Sequence, residues 1–181
     1  MNIGVISMRY AKALLVYAME QNAEDAIYKN MLQLRYTLQK VKHLPVVLQN
    51  PNLSHNERVA LICDAVDSSP LFERFARLIV KEEREEILIF IAHAYIMLYR
   101  KEKKILAVKL TTAVPVDDAY NERITALFGE GYDSVELNNI VDSSIVGGFL
   151  LEADSKRLDS SVMSRLREIR KQLVKQNRKL V

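Results

Sequence analysis

Lys101-Glu102-Lys103-Lys104-Ile105-Leu106-Ala107-Val108-Lys109-Leu110-Thr111-Thr112-Ala113-Val114-Pro115 is where the periodicity of this 181-residue chain changes. Upstream, apolar residues recur every three or four positions; here Leu106, Val108, Leu110, Thr112 and Val114 alternate with Ala107, Lys109, Thr111 and Ala113, as in a half-buried strand that Pro115 stops. The switch divides the chain into a helical part, 1–104, and a mixed part, 105–181. The expected class is α+β, mainly α: an N-terminal six-helix bundle followed by a small α/β C-terminal domain.

Working back from Lys104, the apolar run Ile87 to Tyr99 sits in a helix expected from about Glu85 to Lys103. The run is shorter than the roughly 20 residues that cross a bilayer, so it reads as a buried helix. Its Arg100, Lys101, Lys103 and Lys104 complement the negative end of the helix dipole. Ser69-Pro70 places a cap and a first-turn proline before a fifth helix with Leu71, Phe72, Phe75, Leu78 and Ile79. Ser54 with Glu57 is a capping-box pattern opening a fourth, with Val59, Ile62, Cys63 and Val66 inward. Pro45 and Asn50-Pro51 bracket a short third helix. Ile27, Met31, Leu34, Leu38 and Val41 line the second, and Tyr10, Ala13, Leu14 and Tyr17 share a face of the first.

Downstream of Pro115, Asp117 can cap a helix bearing Ile124, Leu127 and Phe128 that ends at Gly129-Glu130-Gly131. A second strand from about Ser134 to Val141 completes a strand-helix-strand unit, which suggests a parallel pair. Ile145-Val146-Gly147-Gly148-Phe149-Leu150-Leu151-Glu152 reads as an apolar strand entered through two glycines, turning at Ala153-Asp154-Ser155 into a very short return strand. A basic helix follows, capped by Asp159 or Ser160. Its stripe of Val162, Leu166, Ile169 and Leu173 is expected to pack on the strands. Gly147-Gly148 lacks the Lys-Ser/Thr of a phosphate loop and the spacing of a dinucleotide fingerprint, so close backbone packing explains the pair.

Composition excludes several classes. Apolar content of 49% with five glycines, four prolines and no tryptophan suits a helical globular protein. The N-terminus has neither a cleavable signal nor an Arg-rich transit pattern. One cysteine, Cys63, builds no disulfide or metal cluster and reads as a small buried residue. The net charge of +3 hides a segregation into +3 over 1–104, −5 over 105–158 and +5 over 159–181. The basic end suits nucleic acid, anionic lipid, an acidic protein or its own acidic neighbour.

No catalytic constellation emerges. His43, His55 and His93 fall on three different helices without a spaced second ligand, so metal and cofactor binding are not expected. Glu82-Glu83 and Glu85-Glu86 read as a solvated face. Ser160-Ser161 lacks the glycine-flanked turn of a nucleophile elbow. The chain reads as a binding component rather than an enzyme.

Arg9-Tyr10-Ala11-Lys12-Ala13-Leu14 near the start, Arg84 before an apolar helix, and Val146-Gly147-Gly148-Phe149 with Leu158-Asp159-Ser160-Ser161-Val162 and Arg165-Leu166 near the end occur in one order over the full length. In these segments the chain resembles the delta subunit family of bacterial F-type ATP synthases, whose mitochondrial relative is the oligomycin-sensitivity-conferring protein. One departure is Ala153-Asp154-Ser155, where the family's turn usually has a glycine beside the aspartate. The resemblance implies a non-catalytic stator subunit on the cytoplasmic face of the bacterial inner membrane, attached to the membrane only through the complex. It implies that a groove between the first and fifth helices receives the N-terminal helix of an alpha subunit, and that the C-terminal region holds the peripheral-stalk b subunits.

Mapped onto this chain, the alpha-subunit surface comprises Tyr10, Ala13, Leu14 and Tyr17 with Arg74, Phe75, Leu78 and Ile79, an apolar groove with a basic rim if the two faces adjoin. The alternative for each is a place in the bundle core. The b-subunit surface comprises Arg170, Lys171, Lys175 and Arg178 on the last helix, facing an acidic partner. Rival readings are a generic helical scaffold and an RNA-binding module. The second has thin support, since no aromatic pair sits on a strand and the strand-bearing half is acidic.

Overall fold

The structure, a computed structural model, describes residues 3–128, 131–153 and 156–177. It is mainly helical with one four-stranded sheet, and the chain divides into two compact units, Met1–Glu102 and Lys103–Val181. The expected helix end at Gly129-Glu130, the turn at Asp154-Ser155, and Arg178 lie outside the described residues.

The first unit contains α1 (Ile3–Glu20), α2 (Glu24–Lys40), α3 (Leu44–Leu48), α4 (His55–Asp64), α5 (Pro70–Lys81) and α6 (Leu88–Glu102), with a 3-10 turn at Glu85–Ile87 leading into α6. Helix α6 is apolar on most of its circumference and buries Leu88, Ile91, Ala92, Ala94, Tyr95, Ile96 and Tyr99. Both α1 and α2 pack against it, and α4 packs against α5. Helix α2 contributes Ile27, Met31, Leu34 and Leu38, whereas Val41 falls just beyond the helix and is exposed. A polar clasp that periodicity does not reveal joins α2 to α6: Tyr28 stacks on Tyr99 at 4.1 Å between ring centroids, the Tyr99 hydroxyl donates to Asp25 Oδ1 at 2.7 Å, and Arg100 Nε donates to the Tyr28 hydroxyl at 3.0 Å.

Helix ends follow local rules. The Glu57 amide donates to Ser54 Oγ at 3.3 Å while the Ser54 amide donates to Glu57 Oε2 at 2.8 Å, a complete capping box. Ser69 Oγ accepts from the Phe72 amide at 3.3 Å, with Pro70 in the first turn of α5. Asn22 and Glu83 each adopt φ of +52°, closing α1 and α5 through Ala23 N–H to Ala18 O (2.9 Å) and Arg84 N–H to Ile79 O (3.0 Å). The acidic run Glu82 to Glu86 is not a uniformly solvated face. Glu85 is buried and accepts from Arg58 Nη1 at 2.7 Å, because the tight turn before α6 carries it inward beside α4.

The second unit contains β1 (Ile105–Thr112), α7 (Asp118–Phe128), β2 (Ser134–Val141), a 3-10 turn at Ser143–Ile145, β3 (Phe149–Ala153), β4 (Lys156–Asp159) and α8 (Val162–Asn177). Strand order is β2-β1-β3-β4. Strand β1 runs parallel to β2, with Ile105 opposite Ser134, and antiparallel to β3, with Leu110 opposite Leu151. Leu106, Val108 and Leu110 join Ile124, Leu151 and Ala153 in the core. Strand β1 ends at Thr112, whose hydroxyl donates to Val114 O at 2.7 Å, so Val114 is exposed rather than part of the alternation. Asp117 caps α7 by accepting from the Tyr120 amide at 2.9 Å.

The glycine pair serves close approach. Gly148 has φ of +73°, and a Cβ there would collide with the Ser160 carbonyl. That proximity lets Ser160 N–H reach Phe149 O at 2.9 Å and Val162 N–H reach Gly147 O at 3.0 Å, tying the start of α8 to the entrance of β3. Just before it, Val146 holds φ of +68°, a conformation unfavourable for a β-branched residue. Gly148→Ala is expected to lower stability by about 3 kcal/mol, from backbone strain and overlap together. Val146→Gly is expected to raise it, by roughly 1 kcal/mol. Thermal and urea denaturation of the two variants beside the parent chain measure both signs.

Candidate functional site

Two surfaces carry the residues singled out by sequence. The first is a cleft of about 340 Å³ lined by Tyr10, Ala13, Leu14 and Tyr17 of α1 and Leu71, Arg74, Phe75 and Leu78 of α5. Helix α1 turns Ala11, Leu14, Leu15 and Ala18 inward, which leaves Tyr10 and Tyr17 half-buried on its flank with small, exposed Ala13 between them. Helix α5 buries Phe72, Phe75, Ala76, Ile79 and Val80, which leaves Leu71 half-buried and Leu78 46% exposed. Leu14 and Phe75 make the floor, and the remaining side chains make the walls. Seven of the eight proposed residues therefore meet in one cleft. Ile79 does not: at 0% exposure it belongs to the core, one residue and about 100° around the helix from Leu78. Leu71 is the lining residue that sequence reading assigned only to its helix, although its spacing of three, four and seven from Arg74, Phe75 and Leu78 marks the same flank.

Among the described residues that line the cleft, the one charged side chain, Arg74, is at its rim. Arg74 Nη1 donates to the Tyr17 hydroxyl at 2.9 Å, and the guanidinium lies 5.3 Å from the Tyr17 ring centroid. One side chain from each helix thus bridges the mouth. Adjacent Arg77 is engaged along α5, its Nη2 donating to Glu73 at 2.6 Å.

The second surface is α8. Its start is held by Asp159: Oδ1 accepts from the Ser161 amide (3.0 Å) and hydroxyl (2.7 Å), and Oδ2 accepts from the Ser164 hydroxyl (2.8 Å). The cap itself is Ser161, whose Oγ accepts from the Ser164 amide at 3.2 Å, in place of the expected Asp159 or Ser160. The Ser161 and Ser164 hydrogen bonds hold the Asp159 carboxyl below the usual aspartate range. From Arg165 to Leu173 every side chain is exposed. The apolar stripe expected on the strands is therefore uncovered, with Leu166 at 53%, Ile169 at 52% and Leu173 at 56% exposure, because the backbone ties between β3 and α8 reach only the first turn. Arg170, Lys171 and Lys175 flank the stripe and are exposed too.

Chemistry of other kinds is sparse. His43 precedes α3, His55 opens α4, and His93 faces outward on α6. Cys63 is half-buried, and burial pushes its thiol up. Among the described residues no three His, Cys, Asp or Glu side chains are grouped to hold a metal ion, and no helix is long and apolar enough to cross a membrane.

A family profile described as ATP synthase delta (OSCP) subunit matches residues 6–173. The chain is 44% identical to an ATP synthase subunit delta of Bacteroides fragilis and 40% identical to that of Bacteroides thetaiotaomicron, each over 100% of both chains. A Lactobacillus acidophilus protein of the same name is 33% identical over 95% of this chain and 96% of its own. In fold, the chain is similar to one in the cryo-EM structure of the Toxoplasma gondii mitochondrial ATP synthase hexamer, with a TM-score of 0.69 and 23% identity over 93% of this chain and 97% of that one.

The Asp159 network makes a pH prediction with a definite sign. A depressed carboxyl contributes stability above the ordinary aspartate pKa and loses it as pH falls through the folded value. Asp159→Ala should therefore lower the melting temperature at pH 7, and the gap to the parent chain should narrow as the pH falls below about 4. Circular dichroism melts across that range measure it.

Proposed function

Since the chain belongs to the ATP synthase delta (OSCP) subunit family, a non-catalytic component of the peripheral stalk, we propose that it joins the catalytic head to the stalk through its two exposed surfaces. In this reading the six helices of the first unit form the head-binding bundle, and the α1–α5 cleft takes the amphipathic N-terminal helix of an alpha subunit. The second unit holds the b subunits through α8, with the uncovered stripe Leu166, Ile169 and Leu173 contributing apolar contact beside Arg170, Lys171 and Lys175. The chain then sits on the cytoplasmic side of the inner membrane and touches it only through the complex. By resisting co-rotation of the head, it couples ion flow to ATP synthesis without chemistry of its own.

The observation that carries the reading is the cleft. An apolar floor, two half-buried tyrosines and one small residue at its centre suit a helix laid lengthwise, with a few anchors supplying most of the affinity. The RNA-binding alternative lacks such support: Phe149 is the one aromatic on the four strands, so no base-stacking platform exists among the described residues.

Calorimetric titration of the full chain with a peptide of the alpha subunit's N-terminal helix tests the cleft. Tight one-to-one binding is expected, and Ala13→Asp should weaken it at least about tenfold by placing a desolvated charge against the peptide. Circular dichroism should remain unchanged, since Ala13 is exposed. Binding unaffected by Ala13→Asp moves the alpha contact elsewhere. For the second surface, Ile169→Glu should weaken capture of the soluble part of the b subunits while leaving the melting temperature within about 1 °C, because Ile169 is 52% exposed in the free chain.

A further inference from the structure

Building on the cleft reading above, we propose that the cleft selects a helix with a carboxylate beside its apolar anchors, and that Arg74, presented by Tyr17, is the residue that recognises it. The described residues that line the cleft are seven uncharged side chains and this single charge. Apolar burial alone gives no reason for an arginine at the rim, and Arg74 is exposed rather than supporting the core. Among the described residues its guanidinium meets no carboxylate. Its contacts are the Tyr17 hydroxyl and ring, on the opposite wall. Glu73, the acidic neighbour on α5, is engaged by Arg77 at 2.6 Å.

The geometry leaves Arg74 oriented but chemically incomplete. Nη1 is held by the phenol, and the guanidinium carbon lies 5.3 Å from the Tyr17 ring centroid, which keeps the group at the mouth. The Nε and Nη2 edge remains for a forked acceptor, and a carboxylate fits that fork with two parallel hydrogen bonds. The hydrogen bond to Tyr17 is kept when the carboxylate arrives, because the phenol and the carboxylate use different N–H groups of the guanidinium. A helix with a basic residue at this point meets like charge instead. Arg74 thus sets the register and polarity of the occupant, while the apolar lining supplies contact area.

The test is titration of the full chain with the alpha-subunit N-terminal peptide, and with peptides in which each carboxylate is converted to its amide or to lysine. One amide peptide should bind the parent chain about tenfold more weakly, and Arg74→Glu should weaken the unmodified peptide to a similar degree. The matching lysine peptide should recover binding to Arg74→Glu, and Arg74→Lys should fall between because it keeps charge without the fork. If every amide peptide and Arg74→Glu bind as the parent pair does while Ala13→Asp abolishes binding, the cleft reading stands and carboxylate selection is overturned. If Ala13→Asp is also without effect, both fail. Unchanged circular dichroism of the Arg74 variants keeps either result interpretable.

Discussion

Helix α6 cannot be left in water. Leu88, Ile91, Ala92, Ala94, Tyr95, Ile96 and Tyr99 cover most of its circumference, and burying each large apolar side chain is worth roughly 1.5–3 kcal/mol. Satisfying that demand takes two helices. Helix α1 covers one side with its small and aliphatic residues, and α2 covers another with Ile27, Met31, Leu34 and Leu38. Once the inner face of α1 is committed to the core, its Tyr10, Ala13 and Tyr17 flank is fixed on the outside. The cleft is therefore a by-product of core packing and exists before any partner arrives.

The second unit depends on a different constraint, the close approach of backbone at Gly148. Without a side chain there, β3 passes against the Ser160 carbonyl, and three consecutive features are anchored within one turn: the strand entrance, the return strand and the start of α8. Asp159 and Ser161 complete the anchor with polar contacts. Beyond it the side chains from Arg165 to Leu173 are exposed, and an uncovered amphipathic helix of this length is of marginal stability in water.

The two surfaces differ in construction. The α1–α5 cleft is built on two helices whose inner faces are buried in the core. Helix α8 leaves Leu166, Ile169 and Leu173 more than half exposed, so its amphipathic stripe is available to be covered. Their charges differ as well. The cleft presents one hydrogen-bonded guanidinium at an apolar rim, whereas α8 offers several exposed cations around an apolar stripe. The first arrangement favours geometric selection, and the second favours electrostatic attraction with loose register.

Periodicity and caps were readable because they are local. The change of period after Lys104, the capping box at Ser54 and Glu57, the Ser69-Pro70 start, the Asp117 cap and the glycine pair all concern residues a few positions apart, where backbone geometry leaves few choices. The sequence by itself thus determined the order of the helices and strands and the parallel strand pair. Tertiary structure alone decided what each face meets. It put Leu71 in the cleft and Ile79 in the core, drew Glu85 inward to Arg58, gave Ser161 rather than Asp159 or Ser160 the cap of α8, and left the α8 stripe bare. A hydrophobic pattern specifies that a face avoids water but not which distant segment, or which other chain, covers it.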